Sequence, residues 1–287
     1  MLIIKAIILG AVQGITEFFP ISSSGHLSLI GNIMGVEMDL SFMIILHLCT
    51  LFSVVLYFKK EVIKCLYEIW GMLKDLFYNL KRMMSYRGGP EGPGYRKIIS
   101  NSYRKISVML IISMAVTCVI AVLIHPVTKI FNMNLLCSGF GLLVTAIVLL
   151  TASFTGKNRK GPKESKYQDA VIIGAFQGIS AFPGISRMAM SYSAGRICGF
   201  TLKYNKIYCF LLMIPSIAGA ALLECTGGNG LATKMGVLPS IFGAASALFF
   251  GYFTVRTAVK ILSGMSMRKF SYYCACIGII SIILYLV

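Results

Sequence analysis

Gly10-Ala11-Val12-Gln13-Gly14-Ile15-Thr16-Glu17-Phe18-Phe19-Pro20-Ile21-Ser22-Ser23 returns 164 residues further on as Gly174-Ala175-Phe176-Gln177-Gly178-Ile179-Ser180-Ala181-Phe182-Pro183-Gly184-Ile185-Ser186-Arg187, with eight of the fourteen positions identical. Proline or glycine interrupts both copies after an apolar, helix-like start, so each reads as a broken hairpin. The differences divide the chemistry. The first copy carries the carboxylate Glu17, a run of hydroxyls and then His26, whereas the second carries Arg187. A duplicated polar hairpin with an acid and hydroxyls in one copy and a guanidinium in the other points to one composite site for an anionic substrate.

Composition identifies the solvent around these hairpins. Hydrophobic residues make up 57% of the 287 and charged residues only 13%, and the mean hydropathy is +0.80, which excludes an ordinary soluble domain. Long apolar runs span Ser41 to Phe58, Ile106 to Ile124, Leu135 to Ser153, Ile207 to Leu223, Val237 to Thr254 and Phe270 to Val287, each close to the length a helix needs to cross the hydrocarbon core. The expected fold is therefore an all-α polytopic membrane protein with six transmembrane helices plus two re-entrant hairpins. The first hairpin is not read as a signal peptide, because Gln13 and Glu17 interrupt its apolar stretch and no small-residue cleavage pattern follows a basic start.

A formal charge of +17 raises the question of nucleic acid, and its distribution answers against it. Lysines and arginines crowd two segments, from Lys59 to Lys105 and from Lys157 to Lys166, while the turn between them, His125 to Asn134, holds only Lys129. That alternation is the positive-inside signature of topology, and anionic headgroups would attract the same loops.

With both basic segments in the cytoplasm, three crossings carry the chain from outside at residue 41 to the cytoplasm at residue 154. The first hairpin then enters and leaves from the outside, where Glu37 and Asp39 are the nearby charges. The second does so from the cytoplasm, where Arg196, Lys203 and Lys206 follow it. One hairpin and three crossings per half is an odd number of crossings, which turns the second half over: an inverted-topology repeat with halves 1–154 and 155–287, hairpins at 1–28 and 169–195, and an insertion at 59–105. Irregular backbone at membrane depth survives only where protein or a water-filled cavity satisfies it, so the tips are expected to meet near the midplane.

The insertion carries an amphipathic stretch from Val62 to Leu80, bearing Tyr67, Trp70 and Tyr78, and then the breaker Arg87-Gly88-Gly89-Pro90-Glu91-Gly92-Pro93-Gly94. It reads as an interfacial helix pair joined by a flexible turn. The nine cysteines form no CxxC pair and several lie in apolar runs, so they read as small hydrophobes and not as metal ligands or disulfides.

Glu17 follows Gln13 by four residues, one helical turn, so the two side chains share a face. An ionisable group inside an apolar hairpin is costly and is a functional hypothesis by default; packing against a hydroxyl is the alternative. Ser22-Ser23-Ser24-Gly25-His26 then brings three hydroxyls and an imidazole into one loop. Serine or histidine can attack phosphorus and glutamate can serve as base or metal ligand, although serines also cap broken helices and a lone histidine often only packs. Arg187, with Ser191 one turn later, supplies the side chain best suited to bidentate phosphate recognition, with snorkelling to the interface as its alternative role. His47 and His125 are read as structural.

Gln13-x-x-x-Glu17, Pro20-Ile21-Ser22-Ser23-Ser24-Gly25-His26 and Pro183-Gly184-Ile185-Ser186-Arg187 together resemble the signature segments of the bacterial undecaprenyl-diphosphatase family, the bacitracin-resistance lipid phosphatases. The likeness extends to His47-Leu48-Cys49-Thr50-Leu51 and Phe210-Leu211-Leu212-Met213-Ile214-Pro215, in the expected order. It implies removal of the terminal phosphate from undecaprenyl diphosphate, aided by Mg²⁺ or Ca²⁺, at a site in the cell membrane that opens to the extracytoplasmic side. By the same resemblance Glu17 is the essential carboxylate and a metal ligand, with Gln13 as its partner and a further phosphate-binding group. Ser23 and His26 are nucleophile or proton-transfer groups, Arg187 clamps phosphate, and Ser22, Ser186 and Ser191 line the site. Gln13 stands where many members have a carboxylate, Met188 where a serine follows the arginine, and Cys49 where glycine is common. Whether Ser23 or His26 attacks, and whether the chain works as a homodimer, is open at this level. A polyprenyl-phosphate carrier is the competing class, since inverted repeats with broken helices also build transporters; the cluster of Glu17, Ser23 and His26 in one hairpin favours the enzyme.

Overall fold

A computed structural model of the chain describes all residues except 37–38, 86–93, 131–133, 156–158, 225–232 and 263–266. The described residues form eleven helices: α1 (Leu2–Thr16), α2 (Ser23–Ile33), α3 (Leu40–Tyr57), α4 (Lys59–Ser85), α5 (Ser102–Ile130), α6 (Leu135–Ser153), α7 (Tyr167–Ile179), α8 (Arg187–Ile197), α9 (Leu202–Glu224), α10 (Val237–Ile261) and α11 (Met267–Leu286). Six of them, α3, α5, α6, α9, α10 and α11, are long and apolar enough to cross a membrane. Their outward faces carry residues such as Leu123, Ile147, Phe249 and Ile283, each more than half exposed, as expected where lipid and not water is the neighbour.

Several boundaries differ from the expected ones. α5 continues through His125 and Pro126 to Ile130, where a turn was expected. Pro126 withholds an N–H from the Val122 carbonyl one turn earlier, and the helix runs only about one further turn beyond it. α9 starts at Leu202 and α10 runs to Ile261, since lysines at helix ends reach out to the interface along their own stems. The insertion is one 27-residue helix, α4, and not a helix pair. Residues 94–101 return to α5 in irregular form, held where the Asn79 side chain donates to the Arg96 carbonyl and accepts from its N–H, both at 2.8 Å. Glu37, Lys157 and the Arg87–Pro93 part of the breaker lie outside the described residues, as do the side chains of Lys129 and Leu223. Among the described residues eight cysteines are unpaired; Cys65, Cys198, Cys209 and Cys274 are buried, but Cys118 and Cys276 face outward.

Each copy of the opening motif folds as a helix, a break and a second helix, and α2 and α8 have eleven residues each. Pro20 and the positive φ of Ser22 (68°) make the first break; Pro183 and Gly184 (φ 81°) make the second. The first helices of both hairpins pack backbone to backbone on partners far away in sequence. A Cβ at Gly10 would stand 2.2 Å from the Gly243 carbonyl oxygen, and one at Gly14 2.7 Å from that of Ala247, both on α10. The repeated glycines do the same against α5: a Cβ at Gly174 would stand 2.4 Å from the Ser113 carbonyl oxygen and one at Gly178 2.6 Å from Ile120. Small residues four apart let helices approach closely without a water-driven hydrophobic effect. Thus α1 packs on α10 and α7 on α5, while α6 packs on α11 and α3 on α9.

Both breaks lie inside the bundle and their polar backbone is satisfied by protein. Ser24 Oγ accepts from Gly184 N–H at 3.1 Å, linking one tip to the other. Thr145 Oγ1 of α6 donates to the Gly184 carbonyl at 3.2 Å and accepts from Ser186 N–H at 3.0 Å. Beneath the tips Phe18, Phe58, Leu142, Tyr192 and Phe210 form a continuous buried core.

Candidate active site

Glu17 caps the C-terminus of α1 in helical geometry, so Gln13 one turn earlier reaches it directly, Nε2 donating to Oε2 at 2.9 Å. Ser22 caps α2 by accepting from Gly25 N–H. That leaves Ser23, the first residue of the helix, aimed back at Glu17, with Oγ donating to Oε2 at 2.5 Å. Ser186 caps α8 in the same way, and Arg187, again the first helical residue, extends to Glu17 Oε1 with Nη2 at 3.2 Å. Ser23 and Arg187 are equivalent positions of the repeat and meet on opposite oxygens of one carboxylate. Glu17 is buried, with 2% of its side chain exposed, and Arg187 retains 19%. Water is excluded from the acid but not from the clamp.

His47 of α3, read as structural from the sequence, joins this group. Its Nδ1 donates to the Met43 carbonyl at 2.8 Å, and Nε2 faces Glu17 Oε2 at 3.7 Å. An ionisable residue within a spanning helix was the signal available for it.

A cavity of about 460 Å³ opens from these groups. Glu17, Ser22, Ser23, Ser24, His47, Gln177, Ser186 and Arg187 line its polar end; Met114, Ala121, Val122, Ile217 and Leu222 of α5 and α9 line an apolar extension toward His125 and Thr128. Such a volume, with a few convergent polar groups and an apolar flank, suits a charged head on a hydrocarbon tail.

Three expected residues, Gln13, His26 and Ser191, lie outside the cavity lining. Gln13 is fully buried and donates to Glu17. His26 Nδ1 donates to the Ser22 carbonyl at 2.7 Å, which makes Nε2 of the neutral ring an acceptor, and Tyr273 OH of α11 fills that position at 2.8 Å with the two rings stacked. Ser191 Oγ donates to the Arg187 carbonyl at 3.0 Å within its own helix and is fully buried.

For a divalent ion, the donor set offers one carboxylate. Its Oε1 faces Arg187 and its Oε2 already receives Ser23 and Gln13. Among the described residues no three His, Cys, Asp or Glu side chains cluster. These residues do not fit a cation held by the protein alone.

Residues 6–280 match the family described as Bacitracin resistance protein BacA. The chain is 34% identical over 282 residues to a protein named undecaprenyl-diphosphatase from Methanosphaera stadtmanae, covering 98% of each. It is 33% identical over 284 residues to one of the same name from Alkaliphilus metalliredigens, covering 97% of each, and 32% identical over 280 residues to one from Treponema denticola, covering 97% of this chain and 96% of the relative. A match over nearly the whole chain, with Glu17, Ser23 and Arg187 meeting in one cavity, has one meaning: this chain belongs to the bacitracin resistance protein BacA family.

Proposed function

We propose that the protein is a membrane phosphatase that hydrolyses undecaprenyl diphosphate to undecaprenyl phosphate and inorganic phosphate, returning the carrier lipid to peptidoglycan synthesis and so conferring bacitracin resistance. The observation that carries the reading is the contact of Ser23 Oγ with Glu17 Oε2 at 2.5 Å, with Arg187 on the other oxygen and an apolar wall beyond. In this reading Ser23 attacks the terminal phosphorus in line, and its proton passes to Glu17 Oε2. The bond from that phosphorus to the bridging oxygen breaks, and polyprenyl monophosphate leaves. Water then cleaves the phosphoserine: His47 takes a proton from the water, Glu17 returns its proton to Ser23 Oγ as the phosphorus–serine bond breaks, and inorganic phosphate departs. Arg187 shifts from Glu17 to the phosphoryl oxygens as the acid is neutralised, and the N-termini of α2 and α8 add oriented dipoles where charge gathers. His26 serves the same step from behind, by holding the Ser22 carbonyl from which Ser23 projects. If the reaction uses a Mg²⁺ or Ca²⁺ ion, Glu17 and the substrate's own phosphate oxygens would hold it, and it would neutralise charge on the diphosphate.

The inverted repeat is part of the proposal. α1, α2, α7 and α8 have 15, 11, 13 and 11 residues. At 1.5 Å per residue these arms reach only about 16–22 Å, short of a roughly 30 Å hydrocarbon core. That length supports hairpins that enter and leave on one side, within halves 1–154 and 155–287 of opposite orientation. The cavity extends along the C-terminal parts of α5 and α9, away from the basic segment that precedes α5, which supports an extracytoplasmic opening in the bacterial inner membrane. A carrier of the same build makes no use of a serine bonded to the carboxylate. Phosphate release from a short-chain polyprenyl diphosphate by the detergent-solubilised protein, with and without chelator, is the test. No release with any divalent ion overturns the phosphatase reading.

A further inference from the structure

Helix α4 presents a second surface whose chemistry the phosphatase site does not use. Ile63, Leu66, Trp70, Leu73, Phe77 and Leu80 recur at alternating steps of three and four residues and are each 49–69% exposed. They make one long apolar stripe on a 27-residue helix whose other positions are rich in lysine and carboxylates. The stripe does not face the rest of the protein. Cys65 and Met72 form the buried side, and the neighbouring side is fastened to α5 by Arg104, which donates to Glu68 at 3.0 Å and to Asp75 at 2.6 Å. The hydrogen bond from Arg104 holds the Asp75 carboxyl below its ordinary range. The acids of this helix that face α5 are thus taken up there, while Lys60, Lys74 and Lys81, spaced in multiples of seven, flank the stripe on one edge, between it and those acids.

We propose that α4 is a lipid-surface helix: its apolar stripe lies in the headgroup boundary of the leaflet at which α3 ends, and its flanking lysines bind anionic lipid headgroups. Three observations choose lipid over a second copy of the chain. α4 begins at Lys59, with only Phe58 between it and the end of the spanning helix α3 at Tyr57, so its stripe starts at the membrane surface. Trp70 and Tyr67, the residues that favour that depth, are both exposed. A paired copy of α4 would set the lysine edge against Val62, Ile69 and Leu76 if parallel, or against the same lysines if antiparallel, with no carboxylate opposite in either case, whereas anionic headgroups complement it.

Trp70 is the only tryptophan in the chain, so the full-length protein reports on this helix without labelling. The purified protein is placed in nanodiscs of phosphatidylcholine alone or with phosphatidylglycerol, and Trp70 emission is read against iodide in the water and against lipids brominated on the acyl chain. The proposal expects blue-shifted emission that brominated chains quench and iodide does not, with the quenched fraction rising with phosphatidylglycerol. Lys60→Gln and Lys81→Gln weaken that rise, each by up to about fivefold in partitioning, the value of one lysine near an anionic surface. Lys74 is left in place because its ammonium lies 5.5 Å from the Trp70 ring and would alter the emission directly. Free access of iodide with no effect of bromine overturns the proposal, as does protection from iodide accompanied by disulfide cross-linking of Leu73→Cys between copies. Lipid quenching that ignores phosphatidylglycerol overturns the headgroup assignment.

Discussion

Glu17 Oε1 and Arg187 Nη2 stand 3.2 Å apart, although 170 positions separate them in the chain and they come from different copies of one repeated hairpin. Removing one partner of a buried ion pair strands the other, at about 3–5 kcal/mol. Arg187→Ala is therefore expected to lower thermal stability in detergent as well as abolish phosphate release. The double variant Glu17→Gln, Arg187→Ala regains the stability and not the activity. Arg187→Lys keeps the charge but loses the planar fork, and the rate is expected to fall roughly 10²- to 10³-fold, the usual effect of losing one donor to a developing oxyanion. Equal rates for Arg187→Lys and the parent protein would remove Arg187 from the phosphate site.

The imidazole of His26 bonds on both nitrogens, to the Ser22 carbonyl and to Tyr273 OH, contacts that suit a positioning role at the tip. His26→Asn keeps a donor for the Ser22 carbonyl and is expected to retain far more activity than His26→Ala. Tyr273→Phe removes one hydrogen bond worth about 0.5–1.5 kcal/mol and lowers kcat several-fold without moving the pH profile. A loss with His26→Asn as deep as with His26→Ala would instead make the ring itself a proton carrier.

The glycines of the repeat yield a stability prediction. Gly10→Ala and Gly174→Ala gain up to about 1 kcal/mol of helix propensity, yet each drives a methyl into a carbonyl oxygen of α10 or α5. Overpacking of this kind costs about 1–3 kcal/mol, so both are expected to lower the melting temperature. At Gly219 a Cβ meets only the flexible end of Met114 at 3.2 Å, and Gly219→Ala is expected to be neutral or better. A stable Gly10→Ala protein would mean that α1 and α10 are not held at this distance.

Part of this architecture was legible in the sequence. Six spans could be read because apolar runs of that length have few other uses, but their ends were misplaced wherever lysines lie within the helix, as at Lys203 and Lys206 of α9. Glu17, Ser23 and Arg187 could be singled out because a carboxylate, a hydroxyl and a guanidinium are expensive in lipid. His47 was missed because its role depends on which face of α3 meets α1. The direction of the His26 ring was hidden too, since its partner Tyr273 lies 247 residues away. The glycines were visible as identities, while their partners on α5 and α10 exist only in three dimensions.

A cation held by Glu17 alone would stabilise the protein without substrate. The donor set argues against this, so Mg²⁺ or Ca²⁺ by itself is expected to leave the melting temperature unchanged, and to raise it when a non-hydrolysable diphosphate analogue is present, by the linkage between binding and stability. Stabilisation by the ion alone that disappears in Glu17→Gln would establish a resident metal site.

If both hairpins turn back partway, α2 and α8 end on opposite faces of the membrane, because three candidate spans, α3, α5 and α6, lie between them. In a cysteine-depleted chain on right-side-out vesicles, Asn32→Cys at the end of α2 is expected to react with an impermeant maleimide. Ile197→Cys, at the end of α8, reacts only after permeabilisation, as does a cysteine on α4. Both positions are exposed, so burial does not confuse the result. Labelling of both from the same face would require one hairpin arm to cross the bilayer. With 11 to 15 residues per arm, that would demand a membrane thinned well below its usual core, and the inverted repeat would have to be abandoned.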